Sequence, residues 1–228
     1  MGISPEGMKL VLTGVIVSFL GFLLGTWVKW LGISVFSIGA LFTLFSAYFF
    51  RDPERDRVFA PGEIASPADG TVLSVKTEGD PDTVVVRIFL SVFNVHIQRS
   101  PIDGKIEDVS YTKGKFAIAY KPEAAENERN RIKILGEQGL FAEVEQITGA
   151  IARRIACYVQ EGQEVKAGEK IGMIYFGSQV ALHLPTSVKM LVKPGNNVQA
   201  GETIIGIIGR EVKIPGQDES FKIQKEVY

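Results

Sequence analysis

Gly177 and Ser178 interrupt a strand-like run of apolar residues that extends over 172–182. Glycine has no side chain to pack in a strand core, so a glycine there often marks a bend or a close approach to another group. Two interpretations of the pair are open. These residues alone favour a bulge or turn in a β domain, and the other interpretation is a reactive peptide bond beside a serine that needs a base to take its proton.

Few residues could assist such a serine. His96 is flanked by apolar residues, and a lone histidine in that setting is more often structural than catalytic. His183 lies five residues after Ser178, so strand alternation places it on the opposite face, and we do not expect it to be a partner. Asp69 stands in an Ala-Asp-Gly turn, where an Asx turn is the ordinary explanation.

Composition excludes several other kinds of site. The 228 residues carry a formal net charge of -1, which does not indicate a nucleic-acid-binding protein. We find no metal-ligand cluster, P-loop or dinucleotide fingerprint, and therefore expect no metal site and no external cofactor. The single cysteine, Cys157, excludes an internal disulfide framework, and its apolar neighbours predict a buried structural thiol.

The first fifty residues predict a membrane anchor. Between Leu10 and Phe50 the only charged residue is Lys29, and one helix of that length would extend about 62 Å, twice the bilayer core. We therefore predict a transmembrane helical hairpin with helices at 10–28 and 31–50, and a buried hairpin in a soluble protein is the alternative. Basic residues flank both ends, so the positive-inside rule places both ends, and the following domain, on the cytoplasmic side of the cell membrane.

The rest of the chain predicts a mainly β domain. Residues 51–62 are rich in Pro, Gly and charge and are interpreted as a linker. From residue 63 to 228, short runs rich in β-branched residues alternate with turn residues, and the polar segment 121–131 is interpreted as a loop or short helix. The runs are 71–75, 83–90, 95–97 and 106–110.

An internal repeat supports this fold. Residues 159–171 recur as 192–204, with the shared pattern Val, Gly, Val, Ala, Gly, Glu and Ile. One copy cannot bury its own apolar face, so the two copies predict paired halves of a small β-sandwich or barrel-sandwich hybrid. The pattern resembles biotinyl and lipoyl carrier domains, although Lys189 lies too close to Gly195 for their attachment hairpin. A non-enzymatic, membrane-anchored carrier or adaptor is therefore one functional hypothesis.

Several motifs in order along the chain point to a more specific resemblance. Asp69 stands in Ser-Pro-Ala-Asp-Gly, His96 in Phe-Asn-Val-His-Ile-Gln-Arg-Ser-Pro, and Ser178 in Phe-Gly-Ser. Together with the segments 126–130 and 149–155, these motifs resemble the phosphatidylserine decarboxylases, and most closely their short bacterial and archaeal form. Gln179 and Asn94 depart from the family pattern, which often has an arginine after the serine and an acidic residue two before the histidine.

The resemblance implies a cofactor made from the chain itself. The hydroxyl of Ser178 attacks the carbonyl of Gly177, an ester forms, and β-elimination with loss of ammonia leaves a pyruvoyl group at residue 178. By resemblance, His96 is the base and Asp69 orients it. The pyruvoyl carbonyl forms a Schiff base with the substrate amine and accepts the electrons released with carbon dioxide, as pyridoxal phosphate does. His96 is also a candidate proton donor in that second reaction.

The resemblance also predicts the partners. The enzyme would convert phosphatidylserine to phosphatidylethanolamine at a membrane, as a heterodimer of its own products, residues 1–177 and 178–228. Archaetidylserine is an alternative substrate, and a homo-oligomer remains open. The head-group phosphate requires cationic or amide donors. The candidate phosphate ligands are Arg99, Arg129, Arg153 and Arg154.

Overall fold

The computed structural model describes residues 2–117, 126–150, 154–176 and 178–208. The helices are α1 (Pro5–Gly25) and α2 (Lys29–Phe49). In chain order the strands are β1 (Gly2–Ile3), β2 (Arg51–Asp52), β3 (Glu63–Ala65), β4 (Gly70–Thr77), β5 (Thr83–Leu90), β6 (Ile97–Arg99), β7 (Gly104–Thr112), β8 (Arg129–Leu135), β9 (Phe141–Ile147), β10 (Ile155–Cys157), β11 (Glu164–Val165), β12 (Lys170–Ile174), β13 (Ser178–Pro185), β14 (Val188–Met190), β15 (Asn197–Val198) and β16 (Ile204–Ile208). The predicted fold class, mainly β with an N-terminal helical hairpin, is confirmed.

The two helices form an antiparallel pair whose outer surface is apolar. Each has 21 residues and is long and apolar enough to cross a membrane, with mean hydropathies of 2.1 and 1.8. Helix α1 begins at Pro5, five residues earlier than predicted, because proline suits the first position of a helix. Strands β1 and β2 pair with each other at the open end of the hairpin and connect it to the β domain.

Glycines allow the two helices to approach each other closely. A side-chain carbon on Gly32 would overlap the backbone of Gly25, and one on Gly21 would overlap the backbone of Phe36. Small residues at such contacts are typical of helices that pack in a membrane, where van der Waals contact replaces the hydrophobic effect. The two helices therefore pack through close backbone contacts at these glycines, and their large apolar side chains lie on the outside of the hairpin.

An antiparallel eight-stranded sheet, which we call the main sheet, forms the body of the β domain. Its strand order is β11-β7-β8-β9-β13-β5-β4-β15. Strand β13 lies between β9 and β5, and six of its eight residues are buried. A continuous apolar run is typical of such a fully covered strand, which explains the sequence pattern after Ser178.

The internal repeat corresponds to matched positions in the fold. The first copy contains β11 and leads into β12, and the second contains β15 and leads into β16. Strands β11 and β15 occupy the two opposite edges of the main sheet. Strand β12 is the middle strand of the small sheet β10-β12-β6, and β16 is the middle strand of the small sheet β14-β16-β3. Each copy thus joins one edge of the main sheet to one small sheet, as the paired-halves prediction requires.

A second pair of repeated segments completes these halves. Residues 66–70 read Ser-Pro-Ala-Asp-Gly, and residues 100–104 read Ser-Pro-Ile-Asp-Gly. The Ser66 hydroxyl donates to the Ala68 carbonyl at 2.8 Å, and the Ser100 hydroxyl donates to the Ile102 carbonyl at 2.7 Å. The two turns therefore have the same hydrogen-bonded structure.

Cys157 corrects one expectation from the sequence. Its side chain is exposed, whereas its apolar neighbours predicted a buried thiol. The residue ends β10, an edge strand of a three-stranded sheet, and its Sγ lies 3.3 Å from the carbonyl oxygen of Val159. A run of apolar residues does not bury every side chain when the strand lies at an edge.

Candidate active site

His96 lies at the end of the main sheet where β5 finishes. A turn over residues 91–94 follows β5 and leads to the histidine, whose side chain is completely buried. Its Nδ1 lies 3.0 Å from the carbonyl oxygen of Asn94, and its ring centre lies 4.3 Å from that of Phe49. Its Nε2 is buried and has no hydrogen-bond partner among the described residues.

The surroundings of His96 keep its imidazole neutral. Burial is the largest cause and, together with the charge of Arg51, lowers its pKa from 6.5 to about 4, although the hydrogen bond with Asn94 and the charge of Asp69 oppose the shift. A carbonyl only accepts, so we assign the single imidazole proton to Nδ1. Nε2 is then left with a lone pair that can accept a proton near pH 7.

Ser178 is the first residue of β13, where its backbone pairs with Leu90 at the end of β5. Its side chain is buried, and Oγ has no hydrogen-bond partner among the described residues. Gly177 lies outside the described residues. Because β5 leads directly into the turn before His96, the main sheet brings the predicted serine and histidine to the same end. Their side chains are not hydrogen-bonded to each other.

Phe176 has an unusual backbone conformation. Its φ is 61°, and it is the only non-glycine residue with positive φ in the described part of the chain. A bulky side chain in the left-handed region costs roughly 1–3 kcal/mol and persists only where the surrounding structure enforces it. The strain therefore lies two residues before Ser178, next to the predicted cleavage bond.

Aromatic residues at the end of α2 hold this segment against His96. The ring centre of Phe176 lies 4.5 Å from that of Phe49 and 6.1 Å from that of Phe50. Because Phe49 also contacts His96, one buried ring bridges the histidine and the residue two before Ser178. The last residues of the apolar hairpin are thus part of the wall of the candidate site.

Asp69 is held by an arginine from the predicted linker. Arg55 donates to both carboxylate oxygens of Asp69, at 2.6 and 2.8 Å, and the backbone N–H of Ala200 donates to one of them at 2.9 Å. In the other half of the repeat, Asp103 accepts the matching bond from the Ala167 N–H at 2.7 Å. The backbone bond is therefore a shared structural feature, whereas the arginine contact is described for Asp69 alone.

The structure places Asp69 differently from the predicted role in one respect. Its carboxylate accepts hydrogen bonds from Arg55 and Ala200, whereas the hydrogen bond that orients the His96 ring is made with the Asn94 carbonyl. The charge of Asp69 still acts on His96 by raising its pKa against the larger effect of burial. An orienting role for Asp69 stays a prediction. Asp69 would act on His96 through the electrostatic field of its carboxylate and through the position of the turn 66–70.

A buried chain of amides supports the strand that follows His96. The side chain of Gln98 donates to the His96 carbonyl at 2.8 Å, and Gln146 donates to Gln98 at 2.8 Å. Asn130 completes the chain by donating to Gln146 at 2.9 Å. All three side chains are buried, and a fully satisfied network of this kind rigidifies its surroundings. No local sequence pattern indicates this network, because the three residues come from three separate strands.

The four arginines predicted to bind phosphate are spread over the domain. Arg99 is buried and donates to the carbonyls of Gly168 and Pro53, while Arg129 pairs with Glu145 at 3.0 Å. Arg154 is exposed, with its guanidinium 5.5 Å from the ring centre of Tyr175. Arg153 lies outside the described residues. The described members of this set do not converge on one site.

His183 contacts a buried acid away from Ser178. Its Nε2 lies 3.6 Å from Glu145, which also binds Arg129 and Arg131. Burial raises the pKa of Glu145, but the neighbouring His183 and the two arginine charges outweigh it and lower the pKa to about 2. These residues form a charged cluster on the main sheet, in which Arg129 pairs with Glu145.

Comparison with known proteins identifies the family. A family model described as phosphatidylserine decarboxylase matches residues 42–206. The chain is 40% identical over 210 residues to the phosphatidylserine decarboxylase proenzyme of Granulibacter bethesdensis, covering 88% of this chain and 83% of the relative. It is 39% identical over 215 residues to the proenzyme of the same name from Chlorobaculum tepidum, covering 92% and 99%. The chain belongs to the phosphatidylserine decarboxylase family.

Proposed function

We propose that the chain is a proenzyme that cleaves itself between Gly177 and Ser178 and then decarboxylates phosphatidylserine to phosphatidylethanolamine. One observation carries the proposal: Ser178 Oγ and His96 Nε2 are buried at the same end of the main sheet, and neither has a hydrogen-bond partner among the described residues. Leaving a buried polar group unpaired costs about 1–3 kcal/mol, so such groups call for a functional explanation. Family membership and the word proenzyme in the relatives' names support it.

The cleavage uses groups of the chain and one water molecule. Ser178 Oγ adds to the carbonyl carbon of Gly177 while His96 Nε2 takes the hydroxyl proton, and the C–N bond breaks as an ester forms. Elimination then releases the carboxylate of residue 177. Hydrolysis of the dehydroalanine left at residue 178 releases ammonia and completes the pyruvoyl group. The left-handed Phe176 supports this proposal, because a strained backbone beside the bond is already displaced from regular strand geometry.

The residues around Ser178 fit a pyruvoyl group. Position 178 is buried at the start of a central strand, with His96 and Phe49 at the same end of the sheet. When present, the group supplies an electron sink for the electron pair released as carbon dioxide leaves. We propose that His96 Nε2 takes a proton from the substrate ammonium and then returns it to the substrate carbon that has lost carbon dioxide. Phe49 excludes water from the imidazole, so that Nε2 exchanges protons with the reacting groups and not with solvent.

Denaturing mass spectrometry of the purified full-length protein tests the proposal. We expect two chains, residues 1–177 and 178–228, with a ketone in place of the amine at the start of the shorter chain. A carbonyl reagent such as a hydrazide should label that chain alone. A single uncleaved chain with full activity toward phosphatidylserine would contradict the proposal, and so would two chains without a carbonyl.

We further propose that residues 1–50 anchor the enzyme in the cell membrane and that residues 63–228 form the decarboxylase domain on the cytoplasmic side. The apolar outer surface of α1 and α2 supports the anchor, and the basic residues beyond both ends support the orientation. The segment 51–62 joins the two by Arg55, which reaches Asp69. In sealed right-side-out vesicles, added protease should leave the domain intact. Digestion of the domain would show that it lies on the opposite side of the membrane.

A further inference from the structure

Arg51 lies two residues after the end of α2, and some N–H donors of its guanidinium have no partner among the described residues. It donates to the Tyr48 carbonyl at 2.7 Å and to the Phe93 carbonyl at 2.7 Å, and it lies 4.1 Å from the centre of the Tyr48 ring. No carboxylate lies within salt-bridge distance of it among the described residues. A guanidinium has five N–H donors, so donors remain for a ligand.

Arg51 is connected directly to the candidate site. Its Phe93 contact lies in the turn 91–94, and the carbonyl of Asn94 in the same turn holds His96 Nδ1. The guanidinium is also near enough for its charge to lower the pKa of His96, after the larger effect of burial. The cation and the catalytic histidine thus share one short turn.

The surroundings of Arg51 suit the head-group level of a bilayer. Helix α2 ends two residues before it, and Tyr48 and Phe93 expose 46% and 68% of their surfaces beside it. Aromatic side chains and arginine are typical of the boundary between the acyl chains and the head groups. The guanidinium is only partly buried, so a lipid head group can reach it.

We propose that Arg51 binds the phosphate of the lipid head group and so places the serine amine at residue 178. The inference rests on the proposed function. A guanidinium binds phosphate through paired, charge-assisted hydrogen bonds, which fix direction as well as position. In phosphatidylserine a short arm separates the phosphate from the amine and carboxylate. A phosphate held next to the turn 91–94 therefore leaves the serine end within the site.

The test compares Arg51→Gln with Arg57→Gln in the full-length, cleaved enzyme. Arg57 is a matched control because it lies in the same segment and carries the same charge, but its guanidinium contacts the Glu202 carbonyl and lies 5.4 Å from the ring centre of Phe59. Activity is normalised to the pyruvoyl content of each preparation. This step separates failure of phosphate binding from failure of self-cleavage, which would show as loss of the shorter chain.

Two quantities are measured: kcat/KM for phosphatidylserine, and the inhibition constant of phosphatidic acid, which carries the phosphate without serine. For Arg51→Gln we expect kcat/KM to fall, and the inhibition constant to rise, by about tenfold or more, the effect of losing charge-assisted hydrogen bonds. For Arg57→Gln both quantities should stay within about twofold of the wild-type values, as is usual for an exposed surface charge. Arg51→Lys, which keeps the charge but not the paired geometry, should fall between the wild type and Arg51→Gln.

Two outcomes would overturn the proposal. If Arg51→Gln lowers kcat/KM but leaves inhibition by phosphatidic acid unchanged, Arg51 acts only by supporting the turn before His96. If Arg57→Gln weakens inhibition as much as Arg51→Gln does, the effect is general surface charge. Should Arg51→Gln not fold, the proposal is decided by Arg51→Lys, for which an unchanged inhibition constant counts against it.

Discussion

Ser178→Ala is expected to yield a single uncleaved chain with no measurable decarboxylation of phosphatidylserine. Without Oγ no ester can form at Gly177, and without the ester residue 178 cannot become a pyruvoyl group. Removal of a nucleophile from a reaction that depends on it typically abolishes the reaction, and here the same atom also gives rise to the cofactor. Intact mass and release of carbon dioxide from carboxyl-labelled phosphatidylserine measure both effects in one preparation.

The structure also predicts that Ser178→Ala folds normally. Its Oγ is buried and makes no hydrogen bond to a described residue, so deletion of this atom removes no partner and relieves an unpaired polar group. The melting temperature should therefore be unchanged or slightly higher. Ser110→Ala, an exposed serine on β7, is the control and should cleave like the wild type. Normal cleavage of Ser178→Ala would exclude Ser178 as the nucleophile.

The fold could be predicted from local patterns, because its elements leave clear traces in the sequence. Forty-one residues with one charge predicted the helical hairpin, and β-branched runs between turn residues predicted the strands. The repeat at 159–171 and 192–204 predicted the paired halves. The matching turns at 66–70 and 100–104 were also visible in the sequence, and with them Asp103 would have identified the structural part of Asp69's role.

The contacts that shape the site could not be predicted, because they join residues far apart in the chain. Arg55 stands in a segment with the composition of a linker, and only the fold shows that it binds Asp69. Phe49 resembles any other aromatic residue of an apolar helix, yet it packs on His96. The hydrogen bond that orients His96 comes from a backbone carbonyl, which every residue carries, so no residue type marks it.

His96→Gln is expected to block cleavage almost as completely as Ser178→Ala. Glutamine can replace part of the hydrogen bonding to the Asn94 carbonyl, but its amide cannot take a proton from Ser178. Loss of general base catalysis typically costs about 10²–10⁴-fold in rate, so the purified variant should cleave more slowly than the wild type by about that factor. Normal cleavage would remove His96 from the base role.

Asp69→Asn should slow cleavage if Asp69 acts on His96, whereas Asp103→Asn, which alters the matching turn, should not.

The pH dependence of cleavage distinguishes a base from a structural histidine. A base must be neutral, so the rate follows the unprotonated fraction, and with a pKa of about 4 the wild-type rate should be flat from about pH 5.5 to 8. Below that range the rate should fall. Stability should fall over a different range, from about pH 6.5 down to about pH 4, because the unfolded chain takes up the histidine proton at about pH 6.5 and the folded chain only near pH 4.

Phe49→Ala should move this profile in a defined direction. Removal of the ring that covers His96 admits water, weakens the desolvation that lowers its pKa, and raises the pKa toward its ordinary value. Cleavage of the purified precursor should then slow at pH 5.5 relative to pH 7.5, whereas the wild type shows no such difference. Phe45→Ala is the control, because Phe45 contacts Phe49 and Phe176 but has no described contact with His96. An equal shift in both variants would mean that loss of packing around Phe176, rather than exposure of the base, sets the pH dependence.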